Sequence, residues 1–96
     1  MIGKISVLVA GEQALMREGI RSLLKAYEDI EVVGEAMDGR QTVEVTRNLQ
    51  PHVVVMDASM KAMNGFEATR HLSRDVPKTN VVILTEHAAR DDVIGA

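Results

Sequence analysis

The sequence predicts a parallel α/β fold, an open sheet with helices packed on both faces. Four short runs rich in Val, Ile and Leu, at Ile5–Ala10, Glu31–Ala36, His52–Met56 and Val81–Leu84, alternate with longer stretches of helical periodicity. Runs one, three and four are nearly continuous in apolar residues, as expected of strands buried on both faces. Strands separated by helices pair in parallel through right-handed crossovers.

The elements follow in the order β-α-β-α-β-α-β. After the first strand, Met16, Ile20, Leu23, Leu24 and Tyr27 repeat at helical spacing and predict a core-facing stripe. Thr42, Val45, Thr46 and Leu49 form a weaker second stripe. Asn64 suits the N-cap of a third helix with Ala68 and Leu72 on one face. Pro51 and Pro77 each fall just past a helix, where proline stops one. A fourth helix is expected to begin at about His87–Ala96. The chain stops inside it, which would leave Val81–Leu84 as an apolar edge strand. Such an edge pairs readily with another chain. The expectation is either a shortened form of a longer protein, or a homo-oligomer or swapped dimer that completes the sheet.

The 96 residues make a single domain, 1–96, with no repeat, linker or low-complexity segment. The 46% hydrophobic and 26% charged shares are those of a folded globular protein. The absence of cysteine excludes disulfides, thiolate metal sites and cysteine nucleophiles. No apolar run has membrane-spanning length, and no signal-peptide pattern opens the chain, so a cytoplasmic location is expected. The net charge is −3, with scattered basic residues, one Phe, one Tyr and no Trp. No nucleic-acid contact is expected from this domain itself.

In open parallel sheets, ligands bind beyond the carboxyl ends of the strands. At those ends stand Glu12 after strand one, Asp57 after strand three and Thr85 after strand four. Taken singly, each has a plainer reading: Asp57 as a turn residue, Glu12 as a first-turn acid suited to the helix dipole, Thr85 as an N-cap. Together they describe an all-oxygen site. Two carboxylates suit magnesium, which keeps several waters and takes phosphate oxygens. Asp57 could then act as a carboxylate nucleophile toward a phosphoryl group, with Thr85 bonding the new phosphoryl oxygen. His52, His71 and His87 show no metal-ligand spacing. Met56, Met60 and Met63 read as gap-fillers, and no Gly-rich phosphate loop follows any strand.

Several stretches carry a family resemblance. They are Leu15-Met16-Arg17-Glu18-Gly19, Val32-Val33-Gly34-Glu35-Ala36 with Asp38-Gly39, Pro51 through Asp57, Met60 through Thr69, and Val82-Ile83-Leu84-Thr85. In these the chain resembles the receiver domain of NarL/LuxR-type response regulators. The resemblance implies a flavodoxin-like fold with strand order 2-1-3-4-5, of which this chain holds 2-1-3-4 and lacks the fifth strand and helix. It implies that Asp57 accepts a phosphoryl group from a sensor histidine kinase. It also implies that Mg2+ is held by Asp57, Glu12 and the backbone carbonyl of Ser59, and that Thr85 is the switch hydroxyl. A helix-turn-helix DNA-binding domain would belong to the full-length protein.

Three departures bear on the site. The family's two adjacent acids are here Gly11 and Glu12, which removes one charge and lengthens the arm of the other. Lys61 replaces the proline usual after Met60. The family's lysine at the end of the fifth strand lies beyond residue 96. The leading reading is a phosphorylation-regulated switch module, not an enzyme. The alternative is an atypical receiver that works without phosphorylation as an interaction or dimerisation module. A small flavodoxin-like enzyme ranks third, because no catalytic base can be named for it.

Overall fold

The structure, a computed structural model, describes residues 3–57, 60 and 65–84. In chain order the elements are β1 (Ile5–Ala10), α1 (Ala14–Lys25), β2 (Ile30–Ala36), α2 (Gly39–Leu49), β3 (Val53–Asp57), α3 (Gly65–Asp75) and β4 (Asn80–Leu84). The strands form one parallel sheet in the order β2-β1-β3-β4, as expected from the sequence. Thr85, Ser59, Lys61, Asn64 and the expected fourth helix lie outside the described residues.

Register decides which side chains share a face, because alternate residues point to opposite sides of a strand. Val9 pairs with Val55, and Val55 with Val82, so these share one face with Val7 and Val53. Leu8, Val54 and Val81 share the other, as do Ala10, Met56 and Ile83. That second face carries the core. Leu8, Ala10, Val54 and Met56 pack there with Val43 from α2, Ala68 and Leu72 from α3, and Met60 and Val76 from the connections. Gly34 permits the close approach of α2, since a Cβ there would lie 3.1 Å from Leu49 Cδ1 and 3.3 Å from Leu8 Cδ1. A register slip between Val7 and Leu8 passes over Val33, which points outward.

The first face is covered by α1, whose Arg17 and Arg21 both pair with Glu35 of β2. Among the described residues nothing covers its far end, where Val82 is 45% and Leu84 40% exposed. The expectation that the fourth strand is buried on both faces is therefore wrong for β4. The α1 stripe also needs correction. Met16, Ile20 and Leu24 turn inward and are half-buried, whereas Leu23 is 71% exposed and Tyr27, past the helix end, is 58% exposed. In α2 the residues fully inside are Thr42 and Thr46, joined by Val43, while Leu49 is largely exposed.

Caps and cross-links fix the ends. Asp38 caps α2 by accepting from the Gln41 backbone N–H at 2.8 Å, and the Gln41 side chain accepts from Met37 N–H. At the lower rim, His52 Nδ1 accepts from the Ser6 backbone N–H at 2.9 Å, and His52 N–H donates to Ser6 Oγ at 3.0 Å. This histidine is structural and ties β3 to β1. Asp75 of α3 pairs with Arg47 of α2 and with Arg74. The Arg47 hydrogen bond holds the Asp75 carboxyl below its ordinary value. Its contribution to stability is present above the ordinary carboxylate range and is lost as pH falls through the lowered value.

Thr46 is fully buried and its Oγ1 has no hydrogen-bond partner among the described residues. An unpaired buried hydroxyl costs about 1–3 kcal/mol, and a same-shape apolar replacement removes that cost. Thr46→Val is therefore expected to stabilise the fold by about 1 kcal/mol, read as a higher urea midpoint at constant slope. A lower midpoint would contradict the reading of Thr46 as unsatisfied.

Candidate functional site

The chain leaves β1 through α1 toward β2 on one side of the sheet, and reaches β3 through α2 on the opposite side. The order therefore reverses between β1 and β3, and a crevice opens beyond their carboxyl ends. Asp57 is the last residue of β3, one position earlier in the architecture than the sequence suggested, and it is half-buried. Gly11, the first residue beyond β1, is buried beside it. A Cβ on Gly11 would lie 3.7 Å from Asp57 Cβ. Glu12 is the next residue, half-buried in the short connection before α1 rather than in the helix's first turn. On the other side, Asp57 pairs in register with Leu84, the residue that precedes Thr85.

Four side chains to which the sequence reading gave no part in the site shape this rim. Arg17 reaches back from α1, with Nη1 donating to the Gly11 carbonyl at 2.6 Å and the Glu12 carbonyl at 3.2 Å. Its Nε donates to Glu35 Oε1 at 2.9 Å, and Arg21 Nη1 donates to Glu35 Oε2 at 2.8 Å. The Arg17 side chain is only 13% exposed, so this fork holds the Gly11-Glu12 segment from beneath. Gly11 N–H also donates to the Ala36 carbonyl at 2.9 Å. The available signal was an acid, Glu35, interrupting the apolar run of β2. The fourth, Met16, has its methyl where a side chain on Gly11 would stand, 2.2 Å from the position of that Cβ.

For a hard divalent cation, the described acids that follow or end the strands at this rim are Asp57, at the end of β3, and Glu12, in the connection after β1. Magnesium bound through one or two carboxylates, several waters and phosphoryl oxygens needs no more than this. Two acids of this type suit such an ion by their chemistry, and Gly11 contributes none. Among the described residues there is no group of three or more His, Cys, Asp and Glu side chains placed to hold a metal.

An open, doubly wound α/β module with a carboxylate at the switch point of its sheet is the class that fold and rim define. The chain belongs to the response regulator receiver domain family, whose model matches residues 7–96. It is 37% identical over 89 residues to the transcriptional regulatory protein LiaR of Bacillus subtilis, covering 93% of this chain and 42% of LiaR. The receiver domain of the response regulator NarL from Mycobacterium tuberculosis superposes with a TM-score of 0.80 at 30% identity, covering 85% of this chain and 66% of that one. RcsB of Salmonella enterica, solved on promoter DNA in the presence of the phosphomimetic beryllofluoride, superposes with a TM-score of 0.78 at 28% identity. That match covers 86% of this chain and 43% of RcsB. The chain thus spans less than half the length of LiaR and is a receiver domain of the two-component, NarL/LuxR-like kind.

Proposed function

We propose that Asp57 is the phosphoacceptor of this receiver. A carboxylate oxygen of Asp57 attacks the phosphorus of a phosphohistidine on a sensor kinase. The new O–P bond makes an acyl phosphate, and the P–N bond breaks to return the imidazole. Glu12, Asp57 and the carbonyl of Ser59, which lies outside the described residues, would hold Mg2+, and the ion would supply positive charge to offset the phosphoryl oxygens. Thr85, which lies outside the described residues, would serve as the switch hydroxyl toward a phosphoryl oxygen. The module is itself the acceptor in the transfer it undergoes. It works in the cytoplasm and controls a DNA-binding domain elsewhere in a longer protein. No described helix is long and apolar enough to cross a membrane.

The observation that carries this reading is the juxtaposition of Gly11 and Asp57 at the β1/β3 switch point, with Leu84 paired on the other side. A titration with Mg2+ and beryllofluoride, followed by amide NMR, tests it. Shifts around Gly11, Asp57 and Leu84 are expected in the wild type and none in Asp57→Asn. Silence in both proteins would overturn the assignment.

The second reading, an interaction module that works without phosphorylation, is favoured by the apolar Met16 flank of Asp57. Exposed Val82 and Leu84 on the outermost described strand also support self-association along β4.

A further inference from the structure

Met16 is a half-buried side chain of the described rim that the proposed phosphoryl transfer does not use. It rises from the first turn of α1, next to Arg17, and both side chains turn back over the β1–α1 connection. Arg17 holds the carbonyls of that connection. Met16 fills the space above Gly11: the Cβ position of Gly11 lies 2.2 Å from Met16 Cε, 3.7 Å from Met16 Sδ and 3.7 Å from Asp57 Cβ. Gly11 is itself buried, and the thioether methyl takes the place that a side chain on Gly11 would occupy beside Asp57 Cβ.

We propose that Met16 is a specificity-determining residue of the Asp57 site, whose methyl closes the Gly11 flank of the carboxylate to hard cations and so sets divalent-cation affinity. The inference rests on Asp57 being the metal-binding phosphoacceptor. A thioether sulfur is a soft, weak acceptor and takes no place in an oxygen shell. Magnesium gives up its waters reluctantly, so an apolar wall beside one carboxylate denies it both a ligand and room for hydration. The wall is also movable. Methionine is unbranched, with a flexible end, and a side chain introduced at position 11 would displace the methyl rather than the backbone. Gly11 and Met16 therefore act as a pair: the small residue makes room for the long one, and the long one keeps the flank dry.

The pair predicts coupling between substitutions at the two positions. Mg2+ is titrated into the wild type, Gly11→Asp, Met16→Ala and the double variant, each also with Asp57→Asn, with affinity read from amide shifts. Gly11→Asp alone is expected to tighten binding on the order of threefold, because the new carboxylate must push the methyl aside. Met16→Ala alone is expected to tighten binding about threefold, because opening the wall leaves room beside Asp57 for the ion's hydration waters. The double variant is expected to exceed the product of the two by about fivefold, within the range of contacting pairs. Met16→Val replaces Met16→Ala if the alanine variant loses its native amide spectrum. If the double variant equals the product of the singles while Asp57→Asn still weakens every form, the role of Met16 is overturned and the Asp57 site stands. If Asp57→Asn changes no affinity in any background, the Asp57 site falls and the inference with it.

Discussion

Leu8→Ala is expected to cost about 3 kcal/mol, enough to remove much of the stability of a domain this small. Leu8 is fully buried at the centre of β1, on the face where α2 and α3 close the core, and its Cδ1 packs against Gly34. β1 is hydrogen-bonded on both sides, so the vacated space cannot be filled by moving an outer strand inward. Urea unfolding should show a sharply lower midpoint at unchanged slope. Leu23→Ala is the matched comparison. The helical spacing of the sequence places Leu23 in the same kind of apolar stripe, yet it is 71% exposed, and its truncation should shift stability by less than about 0.5 kcal/mol. Equal losses for the two leucines would contradict the assignment of the core to the α2/α3 face.

Arg17→Met is expected to loosen the rim more than any other single change outside Asp57. It removes donors to two backbone carbonyls and to Glu35, and leaves the largely buried Gly11 carbonyl without its partner. Hydrogen bonds involving a charged group contribute about 1.5–3 kcal/mol each in mutational series. The functional consequence is separable from the stability loss. Glu12 sits on the segment Arg17 restrains, so Mg2+ affinity and the rate of labelling by acetyl phosphate should each fall about tenfold, the scale of lost supporting contacts around metal ligands. Hydrogen exchange at Gly11, Glu12 and Gln13 should accelerate, while exchange in the core of β3 stays slow. Glu35→Gln keeps one acceptor for Arg17 and should show a milder form of the same phenotype. Unchanged exchange at these three amides in Arg17→Met would contradict the restraining role.

Which parts were legible in the sequence follows from how locally each is specified. Alternation of apolar runs with helical stripes is a local property, and the four strands and three helices fall where it places them. Asp57 was legible because the end of β3 is marked by the end of its apolar run, although the strand includes the aspartate rather than stopping before it. Ala68 and Leu72 were legible because α3 has one short, clean apolar face. Leu23 and Tyr27 were misread because periodicity shows that a helix has an apolar side without saying how much of that side the sheet covers. Thr42 and Thr46 dilute the pattern of α2 and are nonetheless fully buried, since a β-branched side chain fills the same space whether or not it carries a hydroxyl. The Arg17–Glu35–Arg21 cluster and the Met16 wall depend on pairings between α1, β1 and β2 that no single segment encodes.

Gly11 reads differently once its surroundings are seen. In the sequence it marks a lost acid and a thinner metal site. In the structure it is a buried position whose missing side chain is replaced by the end of Met16, directly beside Asp57. Under the proposed assignment of Asp57, the missing charge and the apolar flank are both expected to weaken cation binding.

The most direct test of the central claim is the mass of the protein after incubation with acetyl phosphate and Mg2+, followed by peptide mapping. A single phosphoryl group on the peptide containing Asp57, absent in Asp57→Asn, is the predicted result. A wild type that takes up no phosphoryl group, or takes it up on another residue, would contradict it.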